Sequence, residues 1–238
     1  MDDWSNKRVE RSIMKKQCAA GMVAVSLCLG AAVAQAQYYY ELPPGAGPYF
    51  RMDVGPSFFR NGQLTEYGAP VSSPVKFRTG LAADGAIGYA FNQYVAADFE
   101  IGYVGAKIDN VPGFISDNSY LYNVPFLANV TLSYPIPRTI MVPYIGVGVG
   151  GADVIFDSDM FGPSSSDFVV GPEDDVVFAW QAFAGVRFRL ARDLSLGVGY
   201  KYFATEDPTF TYPPDSFPVG FKGVQSHSVM VTLEWKFW

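Results

Sequence analysis

The residues of this chain best suited to chemistry are two cysteines, a lone histidine and a set of charges at alternating positions. Cys18 and Cys28 are its only thiols and His227 its only imidazole. A serine nucleophile needs a base within hydrogen-bond reach, and His227 stands between Ser226 and Ser228. In an extended strand neighbouring side chains point to opposite faces, so neither serine meets that histidine within the strand. One histidine with no cysteine beside it also gives no zinc set. The expectation is a chain with no enzymatic activity, no metal and no cofactor. A lipid-modifying enzyme of the membrane surface is the remote alternative, and it lacks its dyad.

Both thiols belong to a segment with a different purpose. Lys15-Lys16 precedes an apolar run from Cys18 to Val33, which closes on Ala34-Gln35-Ala36. A basic flank, a short apolar stretch and small residues at Ala34 and Ala36 mark a secretory signal peptide, and the run is shorter than the roughly 20 residues of a spanning helix. Residues 1–36 are expected to be removed before Gln37, with Met14 as the alternative start because 1–13 is long and polar for such a flank. Leu27 ahead of Cys28 is too bulky for a lipidation site. Cleavage leaves no cysteine, and by taking away five Lys/Arg and three Asp/Glu it moves the formal net charge from −6 to −8. Nucleic acid needs a basic stripe, so it is not an expected partner.

The charges are Arg51, Asp53, Arg78, Asp84, Asp98, Glu100, Arg187, Arg189, Lys201, Glu234 and Lys236. Their spacing asks for strands to hold them, and period-two alternation predicts eight, near 48–59, 77–91, 94–106, 120–134, 140–156, 175–190, 194–205 and 224–237. A tilted membrane strand needs only about 9 to 11 residues. The connections after the second, fourth and sixth strands are tight, at Asn92-Gln93, 135–139 and 191–193. Those after the first, third, fifth and seventh are long, covering 60–76, 107–119, 157–174 and 206–223. Short turns on one side and long loops on the other are what an up-and-down membrane barrel requires, with both termini on the periplasmic side.

Parity separates two faces. In the last strand Val229, Val231, Leu233, Trp235 and Phe237 oppose Ser226, Ser228, Thr232, Glu234 and Lys236. In the sixth, Phe178, Trp180, Ala182, Ala184, Val186 and Phe188 oppose Gln181, Arg187 and Arg189, with Phe183 breaking the polar set. A secreted water-soluble barrel would also alternate, with its apolar face inward. The near balance of six cations and five anions favours a lumen, where crossed Arg–carboxylate pairs satisfy charges that would be costly alone. Outward aromatics gather toward the short turns (Tyr89, Phe91, Tyr134, Phe188, Trp235, Phe237) and toward the loops (Tyr103, Tyr122, Phe178, Tyr200, Tyr202), predicting two interfacial girdles. Pro56, Pro125 and Pro143 lack the N–H that a ladder needs, so bulges or local distortion are expected there. Gly146, Gly148, Gly150 and Gly151 are expected to clear lumenal space for long side chains.

With these strands placed, the chain resembles the small outer-membrane β-barrel proteins of the opacity-protein and outer-membrane-protein-A-like group. The resemblance covers 48–238 and rests on Gly88-Tyr89-Ala90-Phe91, Glu100-Ile101-Gly102-Tyr103, Ala128-Asn129-Val130, Pro143-Tyr144-Ile145-Gly146-Val147-Gly148 and Trp235-Lys236-Phe237. It implies an all-β, eight-stranded antiparallel barrel of the bacterial outer membrane, with 37–47 a short periplasmic segment. It also implies outer-membrane lipid and the barrel-assembly machinery as partners, the latter reading Trp235 and Phe237, and a monomer. Trp238 departs from the usual pattern, in which the in-register aromatic is the last residue. An eight-stranded barrel is narrow enough for side chains to fill it, so the expected role is structural or surface-interacting through the four long loops, with a ligand the sequence does not name. The loop aromatics Tyr67, Phe161, Phe168, Phe210, Tyr212 and Phe217 would either bind a partner or fold on one another. A narrow channel for small or hydrophobic solutes is the alternative role.

Overall fold

A computed structural model describes residues 45–67, 70–112, 115–116, 119–161, 168–212 and 217–237. The expected signal peptide, with Ala34 and Ala36, and the terminal Trp238 lie outside the described residues. The strands in chain order are β1 (Gly47–Phe59), β2 (Gly62–Tyr67), β3 (Pro70–Phe77), β4 (Gly80–Ala90), β5 (Val95–Asn110), β6 (Ile115–Ser116) and β7 (Tyr120–Ser133). They continue as β8 (Met141–Phe161), β9 (Phe168–Arg189), β10 (Leu194–Thr205), β11 (Thr209–Tyr212), β12 (Phe217–Phe221) and β13 (Gln225–Lys236).

Eight of these form the wall. Going round, β1 pairs β4, then β5, β7, β8, β9, β10 and β13, all antiparallel, and β13 pairs β1 again. The ring leaves no hydrogen-bonded edge, which is how a barrel satisfies every backbone group without water. Alternation runs through all eight strands. Val54, Ile87, Phe99, Val130, Val147, Trp180, Val198 and Val231, one from each strand, are between 41 % and 59 % exposed, whereas Arg51, Asp98, Glu100 and Glu234 are below 8 %. A water-soluble barrel would have these reversed.

The tight turns have local chemistry that fixes them. At β4–β5 the Asn92 side-chain oxygen accepts from the N–H groups of Tyr94 and Val95 at 2.7 and 2.9 Å, an Asx turn. At β7–β8 Arg138 takes φ 61°, and the Ile136 N–H donates to Met141 O at 3.1 Å. At β9–β10 the Leu190 N–H closes on Leu194 O at 2.9 Å.

The structure departs from the sequence reading chiefly at the other end. The first long connection is a hairpin, β2 with β3, and β2 also pairs β12, so a small sheet ordered β11–β12–β2–β3 lies over the mouth. Leu64, Val75, Ile108, Leu121, Val154, Phe156, Phe210, Val219 and Phe221, all no more than 2 % exposed, belong to one core beneath it. β8 and β9 run past their expected limits and pair as far as Phe161 with Phe168. The strand expected at 77–91 begins only at Gly80, because Lys76 and Phe77 pair with β5 as the end of the hairpin.

The prolines cause interruption without bulging. β1 pairs β13 at Val54 with Val231 and at Ser57 with Ser228, the same register with Gly55 and Pro56 left out. β5 and β7 likewise skip the level of Pro125 unshifted, and Pro143 pairs with Val186 in a continuous ladder. Gly146 and Gly148 do clear lumenal space, since an added Cβ would fall 2.3 Å from the Phe183 ring and 1.9 Å from Asn129 Oδ1. Gly151 does not, because its Cβ would meet the Phe126 ring, which lies on the outer face with Val130 and Leu132.

Candidate functional site

The chemistry of this chain is concentrated in the barrel interior, in layers. At mid-height Arg51, on β1, is surrounded by three carboxylates. Its Nε donates to Asp53 at 2.8 Å, its Nη1 to Asp98 at 2.8 Å and its Nη2 to Glu100 at 2.7 Å. Lys201, on β10, reaches across to Asp84 at 2.7 Å and Glu100 at 3.0 Å. Neutral groups complete the layer: Tyr49 donates to Asp98 at 2.6 Å, Asn129 to Asp98 at 2.7 Å and Glu100 at 3.0 Å, and Gln181 to Glu100 at 3.0 Å. The Thr232 hydroxyl donates to Asp53. Two cations thus face four carboxylates, and Asp84 Oδ1 is buried without a hydrogen-bond partner.

Toward the short turns Arg187 pairs with Glu234, donates to the Ser133 hydroxyl and lies over the Tyr144 ring at 4.8 Å. Lys236 Nζ donates to Gly45 O at 3.3 Å. Arg189 is exposed in the same mouth, beside a depression of about 280 Å³ that Arg192 and Asp193 also line. Toward the long loops the lumen turns apolar, first with Leu127, Ala152, Ala179 and Phe203 and with Ala82, Val104 and Met230, then with the core under the small sheet.

Of the eleven charges singled out by parity, Arg51, Asp53, Asp84, Asp98, Glu100, Lys201, Arg187 and Glu234 are held in these pairs, and Arg189 and Lys236 line the mouth. Arg78 is a correction. It follows β3 rather than lying within a wall strand, and it bonds Asp109 at 2.7 Å with both side chains exposed, 63 % and 45 %. Parity also missed partners that are not charged. Tyr49, two residues before Arg51, and Tyr144 share the inward phase, but aromatic residues read as outward. Phe183, which breaks the polar set, is a lumenal residue whose ring carries the Arg51 guanidinium at 5.6 Å.

The histidine and its serines fall on opposite faces. Ser226 and Ser228 are buried inward, with Ser228 donating to the Ser57 hydroxyl at 3.0 Å. His227 is on the outer face, hydrogen-bonded through Nδ1 to the Tyr200 hydroxyl and against the Tyr202 ring at 5.2 Å. Among the described residues no three of His, Cys, Asp and Glu are arranged to hold a metal ion. Tyr67 and Phe210, two of the loop aromatics, are 6 % and 0 % exposed in the core under the small sheet, so for them folding together wins over partner binding. Nothing is described of the side chains of Phe161, Phe168, Tyr212 and Phe217.

A closed antiparallel ring that is apolar outside and charged inside defines a transmembrane β-barrel. Residues 23–237 match the profile of the outer membrane protein β-barrel domain, and the chain belongs to that family of the bacterial outer membrane. Uncharacterized protein BMEII0376 of Brucella melitensis is 23 % identical over 233 residues, covering 79 % of this chain and 82 % of that one. Among solved structures, the outer membrane protein OprG from Pseudomonas aeruginosa superposes with a TM-score of 0.54 at 11 % identity, over 82 % of this chain and 99 % of its own. The outer membrane protein AlkL in lipid bilayers gives 0.50 at 19 % identity, over 85 % and 96 %. At these identities the likeness is one of fold.

Proposed function

We propose that the barrel is a closed anchor with a structural or surface-interaction role, presenting the small sheet of its long loops outside the cell and conducting no ions. The observation that carries this is the mid-lumen layer. Between the depression at the short turns and a cleft of about 460 Å³ at the long loops, the cavity beside Arg51 and Lys201 measures about 20 Å³, room for a single water. A hydrated ion cannot pass without breaking several buried charge pairs. The outward apolar belt then meets membrane hydrocarbon, a monomer suffices because the wall closes on itself, and no reaction is assigned. Trp235 and Phe237, stacked at 5.9 Å on the outer face, are the assembly signal.

The competing reading, a narrow channel for small or hydrophobic solutes, is favoured by the cleft, whose floor includes Phe77, Leu121, Phe221 and Val224. That cleft shares no lining residue with the cavity beside Arg51 and Lys201. Planar-bilayer recordings on the pure protein decide between the two: silence is expected, and reproducible single-channel steps would sink the closed anchor. Proteolysis of intact cells tests the orientation, with cleavage expected within the long loops only.

A further inference from the structure

Four carboxyl groups share the mid-lumen layer, and three of them receive donors on both oxygens. Asp98 accepts from Tyr49, Arg51 and Asn129, and Glu100 from Arg51, Lys201, Asn129 and Gln181. Asp53 accepts Arg51 Nε on Oδ2 at 2.8 Å and the Thr232 hydroxyl on Oδ1. Asp84 is the exception. Its Oδ2 accepts from Lys201 at 2.7 Å, while its Oδ1 has no donor, on a side chain only 5 % exposed. A carboxylate oxygen buried without a donor is costly, so this atom calls for a partner.

The residue opposite decides which. Asp53 on β1 and Asp84 on β4 are Cα partners in the antiparallel ladder, both turned into the lumen, and their carboxyl groups lie within hydrogen-bond reach of each other. Like charges directly opposite destabilise a sheet. Two ionised carboxylates only accept, whereas one proton between them turns the repulsion into a hydrogen bond. The charge count points the same way, since Arg51 and Lys201 face all four carboxyls and Arg187, the next cation toward the short turns, is taken by Glu234. Among the described residues no metal-holding set surrounds the pair. Water does not serve Asp84 either: the cavity of about 20 Å³ in this layer is lined by Asp53 and by Thr131, whose hydroxyl also has no partner, but not by Asp84. A proton needs no cavity. We infer that Asp53 and Asp84 share one proton, carried on Asp84 Oδ1 and donated to the Asp53 carboxylate, which makes the β1–β4 seam a proton-binding site inside the barrel. Two cations then face three charged carboxylates, and a proton stands where a third basic side chain would otherwise be required.

The shared proton does not depend on which end of the barrel faces outward or on whether the lumen conducts, so it fails separately from the closed anchor. Infrared spectroscopy of the mature chain, refolded in detergent at neutral pH, tests it, because the C=O stretch of a protonated carboxyl is clear of the amide and carboxylate bands. The unsubstituted chain is expected to show such a band, shifted by isotope-labelled aspartate and by refolding in heavy water. Asp84→Asn should abolish the band, with the carboxamide N–H taking the place of the proton. Asp98→Asn, which alters a carboxylate already supplied with donors, should retain it. Heat-modifiable gel mobility confirms that each variant is folded. No band in the unsubstituted chain, or a band that labelled aspartate leaves in place, overturns the inference, and these two readings stand even if a variant does not fold. A band undiminished in Asp84→Asn, or lost equally in Asp98→Asn, overturns the assignment to this pair.

Discussion

Three carboxylates converge on one guanidinium, so truncating Arg51 leaves Asp53 and Asp98 in a buried layer without a paired cation and Glu100 with Lys201 alone. Arg51→Met is expected to lower unfolding stability in detergent by about 3–5 kcal/mol, the usual cost of leaving a buried charge without its partner. Asp84→Asn should behave in the opposite way. Four carboxylates outnumber two cations there, and Lys201 keeps Glu100, so stability should be unchanged or higher, with both variants read by urea titration in detergent. Arg187→Met is expected to be costly and Arg189→Met nearly silent, because only the former is held by Glu234 and Ser133.

At the scale of single elements, the seam of β1 against β13 depends on one residue without a side chain. A Cβ on Gly55 would stand 1.8 Å from the Val229 carbonyl oxygen, so Gly55→Ala forces the two backbones apart. A loss of about 1–3 kcal/mol is expected, as for other overpacked sites, read by heat-modifiable gel mobility. The cap is independent of that seam. Phe156 lies between Phe210 at 5.7 Å and Phe221 at 4.8 Å, and Phe156→Ala should open the small sheet to protease while the barrel keeps its resistance to heat. The wall strands were legible in the sequence because apolar lipid-facing positions recur every second residue, as at Val229, Val231, Leu233 and Trp235. The cap strands were not. β2 is only six residues long and pairs with β12, about 150 positions later in the chain, and no local period reports such a partner. Tyr144 escaped for a related reason, since an aromatic ring that stacks on a lumenal guanidinium has the same letter as one that faces lipid.

For the molecule as a whole, the interior is organised along the axis, from a basic mouth through a carboxylate-rich middle to an apolar upper section and the cap. The lower two layers followed from parity and charge, but the upper two required knowing that the loops fold over the lumen. The pairing of β1 with β13 has a further consequence. It makes the wall a ring, and a ring has no first member. The Phe237 N–H donates to Pro48 O at 2.9 Å, so a short linker from Phe237 to Gly45 would join the two ends, and a new start could be opened between Phe161 and Phe168. Such a circular permutant keeps all eight neighbours and should refold in detergent with the same gel shift. It also carries Trp235 and Phe237 into the middle of the chain, so export of the permutant to living membranes would report whether assembly reads those aromatics as a strand or as an end.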